Sequence, residues 1–72
     1  MNIDELRKKL QKKHIPRNHY FICEKGNNDQ RFCLEKKKDG WHVYFTERGV
    51  VFDDIVYETE SEACEDMLQR LL

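Results

Sequence analysis

The order of hydrophobic periodicities in the chain predicts an α+β fold, α-β-β-β-(β)-α, with an antiparallel meander sheet and both helices packed on one face. Three observations carry this expectation. A segment near each end repeats apolar residues at helical spacing behind a capping pattern. The middle is rich in aromatic and β-branched residues punctuated by turn signals. No repeat or low-complexity linker interrupts the 72 residues, so residues 1–72 form a single domain.

Asn2 followed three residues later by Glu5 is a capping-box pattern, and Ile3, Leu6 and Leu10 recur at helical spacing up to Pro16. A first helix is predicted over about residues 3–14. Its acids, Asp4 and Glu5, fall in the first turn and Lys12, Lys13 and His14 in the last, as the helix dipole favours. Tyr20-Phe21-Ile22-Cys23 reads as a first strand within His19–Lys25, and Gly26-Asn27-Asn28-Asp29 as the turn after it.

A second strand over about Gln30–Lys37 ends at Asp39-Gly40, a two-residue hairpin signal, and Trp41–Glu47 follows as the third. That turn pairs Lys38 with Trp41, Lys36 with Val43 and Leu34 with Phe45. Phe32, Leu34, Trp41, Val43 and Phe45 then share the core face. Arg31, Cys33, Glu35, Lys37, His42, Tyr44 and Thr46 form the other face, expected to be open to water or to a partner. Gly49 permits a further reversal, after which Val50-Val51-Phe52 or Ile55-Val56-Tyr57 adds a short fourth strand, with Asp53-Asp54 a loop or bulge. Thr59 and Glu62 form a second capping pattern. It opens a helix over about Glu60–Leu71, with Ala63, Cys64, Met67, Leu68, Leu71 and Leu72 as the apolar stripe.

The net charge of −1 conceals a segregation. Residues 1–38 carry eleven Lys/Arg against five acids, and residues 39–72 carry Arg48 and Arg70 against nine acids. Two surfaces of opposite sign can steer different partners or attract each other within the fold.

The candidates for chemistry are few. The three cysteines, Cys23, Cys33 and Cys64, include no C-x-x-C pair, so neither a disulfide framework nor a zinc knuckle is implied, and reduced, half-buried thiols are expected. A turn at 26–29 would set Cys23 opposite Phe32 rather than Cys33. His14, His19 and His42 have no compact ligand spacing with them, so no metal and no other cofactor is expected. Glu47-Arg48-Gly49 joins a carboxylate, a guanidinium fork and a flexible turn, but no nucleophile stands nearby. In the structural alternative Gly49 sets the turn and Arg48 forks to Asp53, Asp54 or a second-helix carboxylate. Without a Gly-rich phosphate loop, a Ser-His-Asp order or paired catalytic carboxylates, the chain is expected not to be an enzyme.

The basic run Arg7, Lys8, Lys9, Lys12 and Lys13 could lie along phosphates, and the element order is that of double-stranded-RNA-binding domains. Those domains place bases at the start of their last helix, whereas here the chain reads Glu58-Thr59-Glu60-Ser61-Glu62, and acids there repel a duplex. Nucleic acid is therefore the second choice of partner.

Trp41-His42-Val43-Tyr44-Phe45-Thr46-Glu47-Arg48-Gly49, then Tyr57 through Cys64, has the form of an aromatic strand ending in E-R-G followed by an aromatic-x-x-E-x-x-A-C helix start. About 24 residues near the C-terminus carry this pattern, which resembles small bacterial α+β proteins similar to the immunity proteins of polymorphic toxin systems. Tyr57 stands where Phe is commoner in the pattern. The resemblance implies a cytosolic protein that binds one toxin domain and blocks its active site or substrate groove, without catalysis. An acidic surface would suit a basic nuclease groove. The expected contact residues are Asp53, Asp54, Glu58 and Glu62, then His42 and Tyr44 of the open sheet face, with Arg48 beside them. A homodimer through the sheet face or a strand edge is a third reading. No segment has the length of apolar residues a bilayer requires and the first residues carry no secretory pattern, so no membrane partner is expected and the cytosol is the expected compartment.

Overall fold

The computed structural model describes all 72 residues and has the α+β architecture: α1 (Ile3–Lys12), a single 3-10 turn (Arg17–His19), β1 (Tyr20–Ile22), β2 (Arg31–Lys37), β3 (Gly40–Glu47), β4 (Val50–Tyr57) and α2 (Glu60–Leu71). The four strands form one mixed, mostly antiparallel sheet in the order β1-β2-β3-β4.

Both helices begin where their side chains satisfy the first free N–H groups. Asn2 Oδ1 accepts from the Glu5 N–H at 2.9 Å, and Glu5 Oε1 accepts from the Asn2 N–H at 3.2 Å, closing the capping box. At α2 the Thr59 hydroxyl accepts from the Glu62 N–H and donates to the Glu62 carboxylate. Glu60 also reaches across to the Ile3 N–H at 2.8 Å, which sets the two helix N-termini side by side. Leu6 and Leu10 of α1 and Ala63, Cys64, Met67 and Leu68 of α2 bury their stripes against Tyr20, Ile22, Leu34 and Val43. Each large aliphatic side chain buried this way contributes about 1.5–3 kcal/mol. The helices lie on one face of the sheet, as the apolar alternation of β2 and β3 requires.

The sheet departs from a meander at its first pair. β1 runs parallel to β2, with Tyr20 beside Phe32, Phe21 beside Cys33 and Ile22 beside Leu34, and Cys23 N–H extends the ladder to the Leu34 carbonyl at 2.8 Å. Residues 23–30 are therefore a crossover and not a hairpin turn. A parallel connection normally takes a dozen residues or more. Eight suffice here because β1 is only three residues long and the chain has little distance to retrace.

The β2–β3 hairpin turns one residue earlier than Asp39-Gly40 suggests: Lys37 pairs with Gly40, Lys36 with Trp41, Leu34 with Val43 and Phe32 with Phe45. Lys38 and Asp39 make the turn and Gly40 supplies the positive φ of 140°. The slip from the expected pairing is even, so every residue keeps its expected face. Leu34 and Val43 are fully buried on the core face, while Phe32, Trp41 and Phe45 are half-buried.

Between β3 and β4, Arg48 and Gly49 both have positive φ, 52° and 77°, as a two-residue type I′ turn requires. Both candidate fourth strands belong to one eight-residue strand, and Asp53-Asp54 is absorbed as a bulge opposite Tyr44 with Asp53 at φ 54°.

The glycines of the two hairpins differ in cost of replacement. A Cβ on Gly40 would sit 2.6 Å from the Tyr57 carbonyl oxygen, whereas one on Gly49 meets nothing within 4 Å. Gly40→Ala should destabilise the fold by about 2–3 kcal/mol and Gly49→Ala by about 1 kcal/mol, the cost of the left-handed backbone alone. Urea unfolding of the two variants checks this, and equal losses would contradict the close approach of β4.

Candidate functional site: the bulged edge strand and the polar face behind it

The second face of the sheet is covered, contrary to the expectation that it lies open. His42 is 7% exposed, Tyr44 5%, Thr46 5% and Cys33 is fully buried. Asp39 and Asp54 flank His42, and over the rest of this face the cover comes with the crossover. The Thr46 hydroxyl donates to the Asn28 carbonyl, and Asp29 accepts from the Arg48 N–H at 2.6 Å, which fastens the loop over the sheet and to the β3–β4 hairpin. Phe21, Cys33 and Tyr44 form a small second core beneath it. Tyr44 donates to Glu35 at 2.7 Å; burial, and then that carboxylate, raise its pKa, so it stays a hydrogen-bond donor.

His42 lies just beneath the surface between two carboxylates. Its Nε2 is 2.7 Å from Asp39 Oδ1, and its Nδ1 is 3.0 and 3.1 Å from the two oxygens of Asp54. A neutral imidazole has one N–H and can donate to one of them only. Donation to both requires the imidazolium. The hydrogen bond to Asp39 raises the His42 pKa, with Asp54 adding to the effect against the opposing influence of burial, and the same bond lowers the pKa of Asp39. The hairpin turn and the β4 bulge are thus tied through one imidazole, whose protonated form both carboxylates favour.

The cysteines are free, Cys23 exposed, Cys33 and Cys64 fully buried; this corrects the half-buried expectation, and Cys33 faces Phe21 rather than Cys23. Burial raises the Cys33 pKa and pushes that of Cys64 up to about 11, so both are inert thiols at neutral pH. No group of three His, Cys, Asp or Glu side chains is placed to hold a metal ion.

Of the predicted contact residues, Asp53, Asp54, Glu58, Glu62 and Arg48 are exposed, Asp53 and Asp54 at the bulge, Arg48 at the hairpin tip, Glu58 just beyond β4 and Glu62 in the first turn of α2. Asp54 is engaged with His42, and Glu62 is occupied by the cap of α2. His42 and Tyr44 lie inside the second face and are not surface residues. Arg48 forms no fork to an acid. Arg70 takes that role, donating to Asp66 at 3.0 Å and to the Asp53 carbonyl at 2.9 Å, while Tyr57 donates to the other Asp66 oxygen at 2.7 Å. The C-terminal half of α2 clamps β4 on both sides of its bulge.

The feature that sequence reasoning missed is the length and exposure of β4, expected as one short strand and found as eight residues running through Asp53-Asp54. Val50, Val51, Phe52, Ile55 and Val56 are all 44–53% exposed on a strand whose outer edge has no neighbour. Phe52 continues an aromatic row with Phe45 and Phe32, whose centroids are 6.5 and 4.9 Å apart along the row. The signal was present in the sequence, since Val-Val-Phe and Ile-Val-Tyr show no alternation of apolar and polar residues.

Fold and surface together define a small α+β protein whose edge strand β4 is exposed. Comparison with protein-family models, curated proteins and solved structures finds no match. No helix is long and apolar enough to cross a membrane.

Because the folded pKa of His42 lies above its ordinary value of 6.5, its contribution to stability is fully present below that value and is lost as pH rises through the raised folded pKa. Denaturant midpoints should therefore fall as pH rises above 6.5 and through the raised folded pKa of His42, and His42→Asn should flatten that slope. An unchanged slope in the variant would remove His42 from this role.

Proposed function

We propose that this protein is a binding module that receives one protein partner along the open edge of β4, as an immunity protein receives a toxin domain. The observation that carries the reading is the eight-residue edge strand with five large apolar side chains near half exposure. Unpaired strand edges of this length are normally shortened, charged throughout or covered, because they template pairing with another chain. Here a bulge interrupts the edge at its centre and leaves apolar triplets at residues 50–52 and 55–57 on either side. A partner strand added to this edge gains backbone hydrogen bonds and apolar contacts on both faces.

The charges around the edge favour a basic partner. Glu47, Asp53 and Glu58 are exposed at its start, middle and end, and complementary charge accelerates encounter more than it strengthens the final complex. A toxin domain with a basic substrate groove has that chemistry. Nucleic acid fits this edge poorly, since the same acids repel phosphates.

The test begins with recovery of the stoichiometric partner from native cells under nuclease treatment, followed by kinetics with the purified pair. Val51→Lys and Ile55→Lys should each weaken binding by about tenfold or more, and Asp53→Lys should slow association at low salt. Lys12→Glu, on the far helix, should change neither. A partner set that vanishes with nuclease, a complex indifferent to the β4 variants, or a solution mass twice that of the chain would overturn the reading, the last by giving the edge to a second copy.

A further inference from the structure

We propose that the cleft between α1, the 3-10 turn and the start of the crossover is a binding site for a small phosphate monoester. The cleft, about 570 Å³, is lined by Arg7 and Gln11 of α1, Arg17 of the 3-10 turn, Tyr20 of β1, and Glu24 and Lys25 of the crossover. It lies on the basic half of the chain, at the opposite edge of the sheet from β4, and does not depend on the reading of β4.

Three cations from three separate elements converge there, and none forms an ion pair: the salt bridges of the molecule involve Met1, His42 and Arg70 only. Arg7 is held in place, donating one N–H to the Ile22 carbonyl at 3.0 Å, which leaves the rest of its guanidinium fork for a ligand. Tyr20 supplies the independent observation. Its ring belongs to the main core and the residue is only 4% exposed, yet its hydroxyl has no partner within the protein. No buried polar side-chain atom in the molecule lacks a partner, so this hydroxyl is reached from solvent, and Tyr20 lines the cleft. A phenolic donor on a core-anchored ring, a positioned guanidinium and two further cations without ion-pair partners are the donor set an oxyanion requires, and an anion there relieves the repulsion among the three cations.

The ligand is larger than the anion alone. A volume of this size falls within the roughly 300–1,000 Å³ of small-molecule sites. Glu24 and Gln11 line the same cleft as the cations; the carboxylate accepts from hydroxyl groups and repels a second phosphate, and the amide both donates to and accepts from the hydroxyl groups of a polyol. A sugar phosphate combines both requirements.

The site is tested by following amide and nitrogen chemical shifts of the full chain during addition of ribose 5-phosphate, inorganic phosphate and ribose. Saturable shifts are expected at Gln11, Tyr20, Glu24 and Lys25, with the monoester binding more tightly than inorganic phosphate and ribose alone not binding. Arg17→Gln should weaken the monoester by about tenfold or more, and Tyr20→Phe, which keeps the ring in the core, by about fivefold. Lys13→Gln removes the same charge at the C-cap of α1, outside the cleft, and should have less than about a twofold effect. Absence of saturation by about 10 mM, shifts spread over all α1 lysines, or equal losses from Lys13→Gln and Arg17→Gln would overturn the site. Equal affinity for the monoester and inorganic phosphate would overturn the ester assignment.

Discussion

The parallel pairing of β1 with β2 is the constraint on which the rest of the structure depends. Because the chain leaves β1 at the wrong end to turn directly into β2, residues 23–30 must cross over, and their anchors at Thr46 and Arg48 draw them across the face that the helices leave bare. This one connection buries Cys33, Tyr44 and Thr46, sets Glu24 and Lys25 beside Arg7 and Arg17, and gives a two-helix protein cover on both sides of its sheet. A chain of this size buries only about 60% of its unfolded surface, so a second small core is a substantial addition.

The two edges of the sheet are treated differently as a result. β1 is three residues long and its carbonyl at Ile22 is taken by Arg7, so that edge offers little to another strand. β4 is eight residues long and is held from behind, by Arg70 and Tyr57 on the helix side and by His42 on the other, with its outer edge free. The polar contacts converge on the bulge at Asp53 and Asp54. They fix the shape of an edge that packing alone would leave loose, which is the condition under which an exposed strand binds one partner and avoids indiscriminate pairing.

What was legible in the sequence follows the range of the interactions involved. The helix starts depend on side chains three residues from the groups they cap, and Asn2, Glu5, Thr59 and Glu62 announce them. Face assignment in β2 and β3 survived a misplaced turn because the slip was even. The crossover was not legible: Gly26-Asn27-Asn28-Asp29 signals that the chain bends but not where it goes, and the choice between hairpin and crossover is made by contacts to Thr46 and Arg48, 18 and 19 residues away. Tyr44 was for that reason expected on an open surface, and His42 because its pairing with Asp39 and with Asp54 of the bulge was equally unread. Asp53-Asp54 looked like an interruption because two adjacent acids suit a loop, whereas Asp53 in a left-handed conformation lets the strand continue through a bulge.

β4 stands as a formed strand with an unpaired outer edge. Amide hydrogen exchange of the isolated protein tests this directly. Alternate amides along residues 50–57 should exchange near free-chain rates while their inward neighbours, and the amides of β3, remain protected. Uniform protection along β4 would mean the edge is already occupied, and uniform exposure would mean the strand does not form; either result contradicts the account.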